Sequence, residues 1–417
     1  MKISAFGKKF TEKSGILELM EDLSSAITSE EKIYMLGGGN PARIPALDAI
    51  WKNRVMEIMA DDEDFNLSLT AYDSAGSNFG FASALAAMFN REYGWDIGPE
   101  NIGVTNGSQI GFFLLFNLFS GRQRNGRKQK IMLPLCPEYV GYADQPIEKD
   151  SFISRRAKIV ETGPKEFKYF VDFDNLEIPE EAGALCSSRP TNPTGNVLTD
   201  EEVKKLSEMA GSRGIPLLLD NAYGAPFPNI IFQDVKPIFN DNIVLSMSLS
   251  KLGLPSTRTG IIIAREEIIQ SLSAVNAIVS LANTTMGQLI VRPLIQSGKI
   301  LDISRKMIMP YYKGRSEATI KMIEEAIDPA VDYRIHKSEG AIFLWIWFKN
   351  LKISARELYE RLKRRNVIVL SGEHFFFGLE EAWEHSKECI RLNYSGNPEA
   401  VEKAVEIIAE EALKGLD

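Results

Sequence analysis

Ile215-Pro-Leu-Leu-Leu-Asp220-Asn-Ala-Tyr223 is an apolar run that ends on a carboxylate, and reading it as a buried strand decides the architecture of the chain. Residues 199–213 immediately before it read as a helix, opening on the capping-box pair Thr199 and Glu202 and closing at Gly214. Similar apolar runs bounded by turn residues stand at 101–105 (NIGVT), 130–135 (KIMLPL), 183–188 (GALCSS), 242–247 (NIVLSM) and 259–264 (TGIIIA). Strands alternating with helices in this way predict an α/β fold with a mostly parallel central sheet flanked by helices on both faces. Ligands of such sheets bind beyond the carboxyl ends of the strands.

From about residue 302 the pattern changes. A long helical segment is interrupted at Pro310, and then come the apolar run 341–348, a helix over 355–365, strands at 366–370 and 388–394, and a terminal helix. The expectation is a large domain over 46–302 and a smaller α+β C-terminal domain over 303–417. Residues 1–45 are expected to pack against the small domain or a partner subunit.

The 417 residues carry a net charge of −8, so no broad basic surface for nucleic acid or anionic lipid is implied. Any anion site must be local. Three cysteines without a CxxC pair and three histidines without ligand spacing predict neither a disulfide framework nor a metal site. A cytoplasmic location is expected, with no export signal, because the first residues lack an apolar core segment and no apolar run reaches the roughly 18 residues of a membrane helix.

The residues suited to chemistry fall just after the strands. Asp220 at a strand mouth is costly to bury without a cation, and a protonated ring nitrogen is one such partner. Tyr223 stands three residues on. Ser248-Leu-Ser-Lys251, with Arg258 following, gathers an amine that can form a Schiff base with hydroxyls and a guanidinium that can hold a phosphate. Gly107, Ser108 and Gln109 open the apolar helix 110–119, and a helix N-terminus is a ready phosphate site. Tyr139 follows the strand 130–135, where its ring can stack on a planar ligand or simply pack. In Arg189-Pro-Thr-Asn192-Pro-Thr-Gly195 two prolines and a glycine stiffen the loop and present the Asn192 amide in one orientation. Arg391 lies within a strand-like segment, facing either water or an anion such as a carboxylate.

Taken in order, LGGGNP (36–41), Tyr72, TNGSQ (105–109), PEY (137–139), RPTNPTG (189–195), DNAY (220–223), SLSK (248–251) and CIRLNY (389–394) resemble the fold type I pyridoxal-phosphate aminotransferases of the aspartate aminotransferase superfamily. The resemblance covers nearly the whole chain. Residues 6–23, 35–42 and 220–232 are similar, more narrowly, to the valine-pyruvate aminotransferases. The resemblance implies pyridoxal 5'-phosphate as cofactor, with Lys251 as the Schiff-base lysine and Asp220 facing the pyridine nitrogen. Tyr223 and Asn192 would donate to the ring oxygen, and Tyr139 would stack on the ring. Gly107, Ser108, Gln109, Ser248 and Arg258 would hold the phosphate, joined by Tyr72 from the second subunit of a homodimer. Arg391, Asn192 and the Gly39 backbone would grip the substrate carboxylate. The implied reaction is ping-pong transfer of an amino group between L-valine, or a similar small apolar amino acid, and pyruvate. Another apolar or aromatic amino acid as donor, or β-elimination on the same scaffold, is the alternative. Three departures from the superfamily pattern stand out: Arg189 replaces a usual Asn, Ser256 stands near a usual Gly, and Gly76 is followed by Ser77 where the glycine more commonly falls.

Overall fold

The computed structural model describes residues 2–28 and 31–417. Among these, the principal sheet has eight strands. Its centre is Lys128–Cys136, Ala182–Ser188, Leu217–Asp220 and Ile243–Ser248, all parallel. Gly260–Ile263 then runs antiparallel between Ile243–Ser248 and Ile102–Thr105. Every residue of Ala182–Ser188 and Ile243–Ser248 is buried, which is why these strands read as unbroken apolar or small-residue runs. Helices Phe79–Tyr93, Ser108–Phe119, Asp200–Ser212 and Glu266–Ser280 cover the sheet. The capping box at Thr199 is present: its hydroxyl accepts from the Glu202 amide, and the Glu202 carboxylate accepts from the Thr199 amide.

A six-stranded sheet draws on the middle and the end of the chain. Leu370–Ser371, Cys389–Asn393, Phe343–Phe348 and Tyr333–His336 are neighbours in it. The hairpin Lys158–Gly163 and Glu166–Phe170 completes it, through parallel pairing of Glu166–Phe170 with Tyr333–His336. The long helical segment is not broken at Pro310. A π-helical turn, Ser304–Ile308, leads into Met309–Ala326, and Pro310 sits in the first turn of that helix, where its missing N–H costs no bond.

The N-terminal helix Gly15–Thr28 is tied to the helix Ala355–Lys363. The Glu18 carboxylate accepts both ends of the Arg356 guanidinium at 2.6 and 2.7 Å, and Asp22 accepts from Lys363 at 2.6 Å. Tyr34–Met35 pairs in parallel with Val367–Ile368, which delivers the glycine loop 36–41 to the edge of the second sheet. Among the described residues no helix is long and apolar enough to cross a membrane.

Candidate active site

Strand register assembles the site. Ser188, Asp220 and Ser246 lie level across three parallel strands, and Ser248, on the last of these, lies level with Gly260 and Thr105 on the two mutually antiparallel strands that follow in the sheet. The loops that follow therefore open into one cavity of about 570 Å³, roofed by the glycine loop and the N-terminal helix. Lys251, Asp220, Tyr223, Asn192, Arg391, Arg258, Ser248, Ser108, Gln109, Tyr139 and Gly39 all line it.

Lys251 sits in the single turn Ser250–Leu252, and its amine donates to the Gly39 carbonyl at 2.5 Å. The Gly39 backbone thus faces the lysine. Burial, then the charge of Arg391, lower the Lys251 pKa to about 8, with Arg258 adding to the effect and Asp220 opposing it. A useful fraction of the amine is consequently neutral near pH 7, as a nucleophile or base requires.

Asp220 has both carboxylate oxygens engaged. One accepts from the Ala222 amide at 3.0 Å, and the other accepts from the Tyr142 hydroxyl. Burial pushes its pKa up, while Tyr142, the Ala222 amide and Lys251 hold it down. Tyr142 is fully buried and carries no motif signature, so the sequence offered no sign of its role.

The phosphate candidates converge on the N-terminus of Ser108–Phe119, which no side chain caps. Gly107 has φ 91°, and a Cβ there would lie 2.1 Å from the Arg258 guanidinium. Only glycine admits this close approach. The Gly107 amide is already bonded to the Thr105 carbonyl at 2.6 Å, so its contribution is clearance rather than donation. The Ser108 hydroxyl donates to the Met247 carbonyl at 2.9 Å, which leaves its backbone amide to face an anion. The Gln109 side chain donates to the Gly141 carbonyl at 3.2 Å. Ser248 accepts from the Ser250 amide at 3.1 Å and keeps its own hydroxyl proton to give. Tyr72 is 84% exposed and does not line the cavity of its own chain.

Arg391 is 1% exposed and stacks over Phe343 at 4.0 Å, which answers the in-or-out ambiguity of its strand. It donates to the Asn192 side-chain oxygen at 2.6 Å and to the Gly37 carbonyl, while its buried Nε has no partner. A guanidinium has five N–H groups, so donors remain for a carboxylate. Burial lowers the Arg391 pKa to about 10, the mark of a cation still short of an anion. Because Arg391 can only donate, Asn192 must turn its oxygen toward it, which leaves the Asn192 amide nitrogen for the cavity.

Two further features have no signal in the sequence. Ile16, Leu19, Met20 and Leu23 form an apolar wall of the cavity, and only the docking of the N-terminal helix brings them there. Arg189 turns away from the cavity: it donates to the Leu198 carbonyl at 2.7 Å, to the Lys236 carbonyl at 3.0 Å and to Asp200. It fastens the stiff loop to the following helix. Ser256 is an exposed turn residue.

Residues 68–408 match the model of the family "Aminotransferase class I and II". The chain is 48% identical over 411 residues to the valine–pyruvate aminotransferase of Escherichia coli strain K12, covering 99% of this chain and 98% of that one. Its fold is similar to the crystal structure of a putative amino-acid aminotransferase from Psychrobacter arcticum 273-4, with TM-score 0.97 and 42% identity, covering 100% and 99% of the two chains. It is also similar to the valine-pyruvate aminotransferase AvtA from Salmonella typhimurium LT2, with TM-score 0.88 and 45% identity over 96% and 99%. Pyridoxal phosphate is the cofactor of this family, and the residues here fit it. A free helix N-terminus beside Arg258 suits the phosphate, a buried Asp220 suits the ring nitrogen, and a part-neutral Lys251 suits the aldehyde. The chain belongs to the class I and II aminotransferases, with the fold type I architecture.

Proposed function

We propose that this aminotransferase moves the amino group between L-valine, or a similar small apolar amino acid, and pyruvate, forming 2-oxoisovalerate and L-alanine. The observation that carries the substrate reading is that Ile16, Leu19, Met20 and Leu23 line the same cavity as Arg391. Among the described lining residues the only cations are Lys251, Arg258 and Arg391, each already suited to amine, phosphate or α-carboxylate chemistry. The identity to the Escherichia coli enzyme points the same way.

Each residue has a role by its chemistry. Arg391 holds the substrate carboxylate as a bidentate pair and so orients the α-carbon. Asn192 and Tyr223 would donate to the ring oxygen of the cofactor, Tyr139 would stack on the ring, and Asp220 would keep a proton on its nitrogen. When bound, the cofactor supplies an electron sink for the pair released as the α-C–H bond breaks. Lys251 would hold the cofactor aldehyde through its amine, and that amine, once free, would take the α-proton and return it. The helix N-terminus, Ser248 and Arg258 anchor the phosphate so that the ring does not shift between half-reactions.

The site is proposed to be completed in a cytoplasmic homodimer. Met56, Phe65, Leu69, Tyr72, Ile278 and Leu281 are exposed large apolar or aromatic residues that a second copy could cover, and the second copy's Tyr72 would reach the phosphate. The three cysteines are free and buried, in keeping with a reducing compartment. A spectral titration with L-valine, L-alanine, L-glutamate and L-aspartate, each followed by pyruvate, tests the reading. L-valine and L-alanine should convert the bound cofactor to its amine form, and pyruvate should restore it. A strong preference for glutamate would overturn the substrate assignment, and a separate incubation with a β-substituted amino acid such as L-serine that released ammonia with pyruvate would instead indicate β-elimination.

A further inference from the structure

Behind Asp220 lies a second carboxylate that the reaction scheme does not use. Glu138 follows the strand Lys128–Cys136 and is 0% exposed. It accepts from the Ser188 amide at 2.8 Å, the Ser188 hydroxyl at 2.6 Å, the Ser187 hydroxyl at 3.2 Å and the Tyr139 amide at 3.3 Å. Among the described residues no lysine, arginine or histidine pairs with it. Ser188 is level with Asp220 in the sheet, and its hydroxyl oxygen lies 3.5 Å from the Tyr142 hydroxyl that donates to Asp220. Glu138, Ser188, Tyr142 and Asp220 therefore form one buried polar row beneath the cofactor position.

A buried carboxylate held only by neutral donors is expensive, and hydrophobic packing would satisfy this position more cheaply. Its charge must act on what is nearby. The ionisable groups around it are Cys136, Tyr139 and Tyr142 from its own segment, Cys186 from Ala182–Ser188, and Asp220 from Leu217–Asp220. None of these is cationic, and the nearest cation in the row is Lys251, beyond Asp220.

We propose that Glu138 is a positioning residue that acts through Ser188 and Tyr142 on Asp220, placing a second negative charge behind it and so strengthening its hold on the proton of the ring nitrogen. This rests on the reading that Asp220 faces that nitrogen. Burial raises the Glu138 pKa to about 7, so its charge is present above neutrality and fades below it. In the same water-excluded row, one charge moves the proton affinity of its neighbour much further than it would at the surface.

The test compares two probes on the apoprotein: pyridoxal 5'-phosphate and its 1-deaza analogue, which has the same shape but no ring nitrogen. Glu138→Gln keeps the shape and the acceptor oxygen while removing the charge. It should weaken the natural cofactor relative to the deaza analogue by about threefold or more, the equivalent of about half a pKa unit from one nearby charge. Equal weakening of both probes, or no change in their ratio, would overturn the proposal, since loss of packing affects both alike. Asp220→Asn is the control. If it too leaves the ratio unchanged, the placement of Asp220 at the ring nitrogen has failed instead. Should Glu138→Gln not fold, the same ratio is read on the unaltered protein between about pH 6 and pH 8. It should shift toward the natural cofactor as Glu138 ionises, and a flat ratio overturns the proposal.

Discussion

Arg391, on the strand next to one edge of the second sheet, donates to the side-chain oxygen of Asn192, on a loop of the first, at 2.6 Å. This one bond joins the two sheets across the cavity and sets both side chains for ligand. It also fixes which end of the Asn192 amide faces the cavity.

Replacing Arg391 by Lys keeps the charge but removes the planar fork. A bidentate charged pair is worth about 1.5–3 kcal/mol over its absence, so kcat/KM for the amino acid should fall about 10- to 100-fold. The loss should lie mainly in KM if the contact serves substrate and transition state equally. Steady-state kinetics with L-valine checks this.

Attachment of cofactor to the apoprotein needs the neutral Lys251 amine, so its rate should rise with pH through a midpoint near 8. The causes of the shift set the signs in variants. Arg391→Gln removes a nearby cation that disfavours protonation, and the midpoint should move up. Asp220→Asn removes an anion that favours it, and the midpoint should move down. Absorbance after mixing apoprotein with pyridoxal phosphate at graded pH reads both.

Gly107→Ala puts a Cβ 2.1 Å from the Arg258 guanidinium at a backbone angle of φ 91°. Arg258 would have to leave the helix N-terminus. Affinity for pyridoxal phosphate should drop about tenfold or more, on the scale of one charge-assisted hydrogen bond, while affinity for pyridoxal, which lacks the phosphate, should change little. Equilibrium dialysis of the apoprotein with each ligand distinguishes them.

Leu19→Ala enlarges the apolar wall on the substrate side. One methylene is worth about 1–3 kcal/mol of discrimination, so kcat/KM for L-leucine relative to L-valine should rise about tenfold. Competition between the two amino acids in one reaction gives the ratio directly. An unchanged ratio would mean that the N-terminal helix does not border the substrate side chain.

The parallel sheet was legible because strands buried on both faces read as nearly continuous runs of apolar or small residues, and residues 183–188, 215–219 and 243–247 do. The convergence of Lys251 and Asp220 followed, since both stand at carboxyl ends of such strands. The hairpin 158–170 was not legible as part of the second sheet, because its partner Tyr333–His336 is far along the chain and pairing partners leave no local signal. Pro310 looked like a break because a proline removes one helical bond, whereas a π-helical turn beforehand lets the chain continue.

By itself, then, the sequence determined the α/β layering and the standing of the Lys251 amine and the Asp220 carboxylate just past strand ends. Those follow from residue chemistry and short-range pattern. The tertiary structure decided that Arg391 points inward, that Arg189 is a fastener, that Gly107 gives clearance to Arg258, and that Ile16, Leu19, Met20 and Leu23 border the cavity. It also decided that Glu138 and Tyr142 stand behind Asp220. Each of these depends on contacts between segments distant in sequence, where burial and hydrogen-bond partners are set by how the two sheets and the N-terminal helix pack.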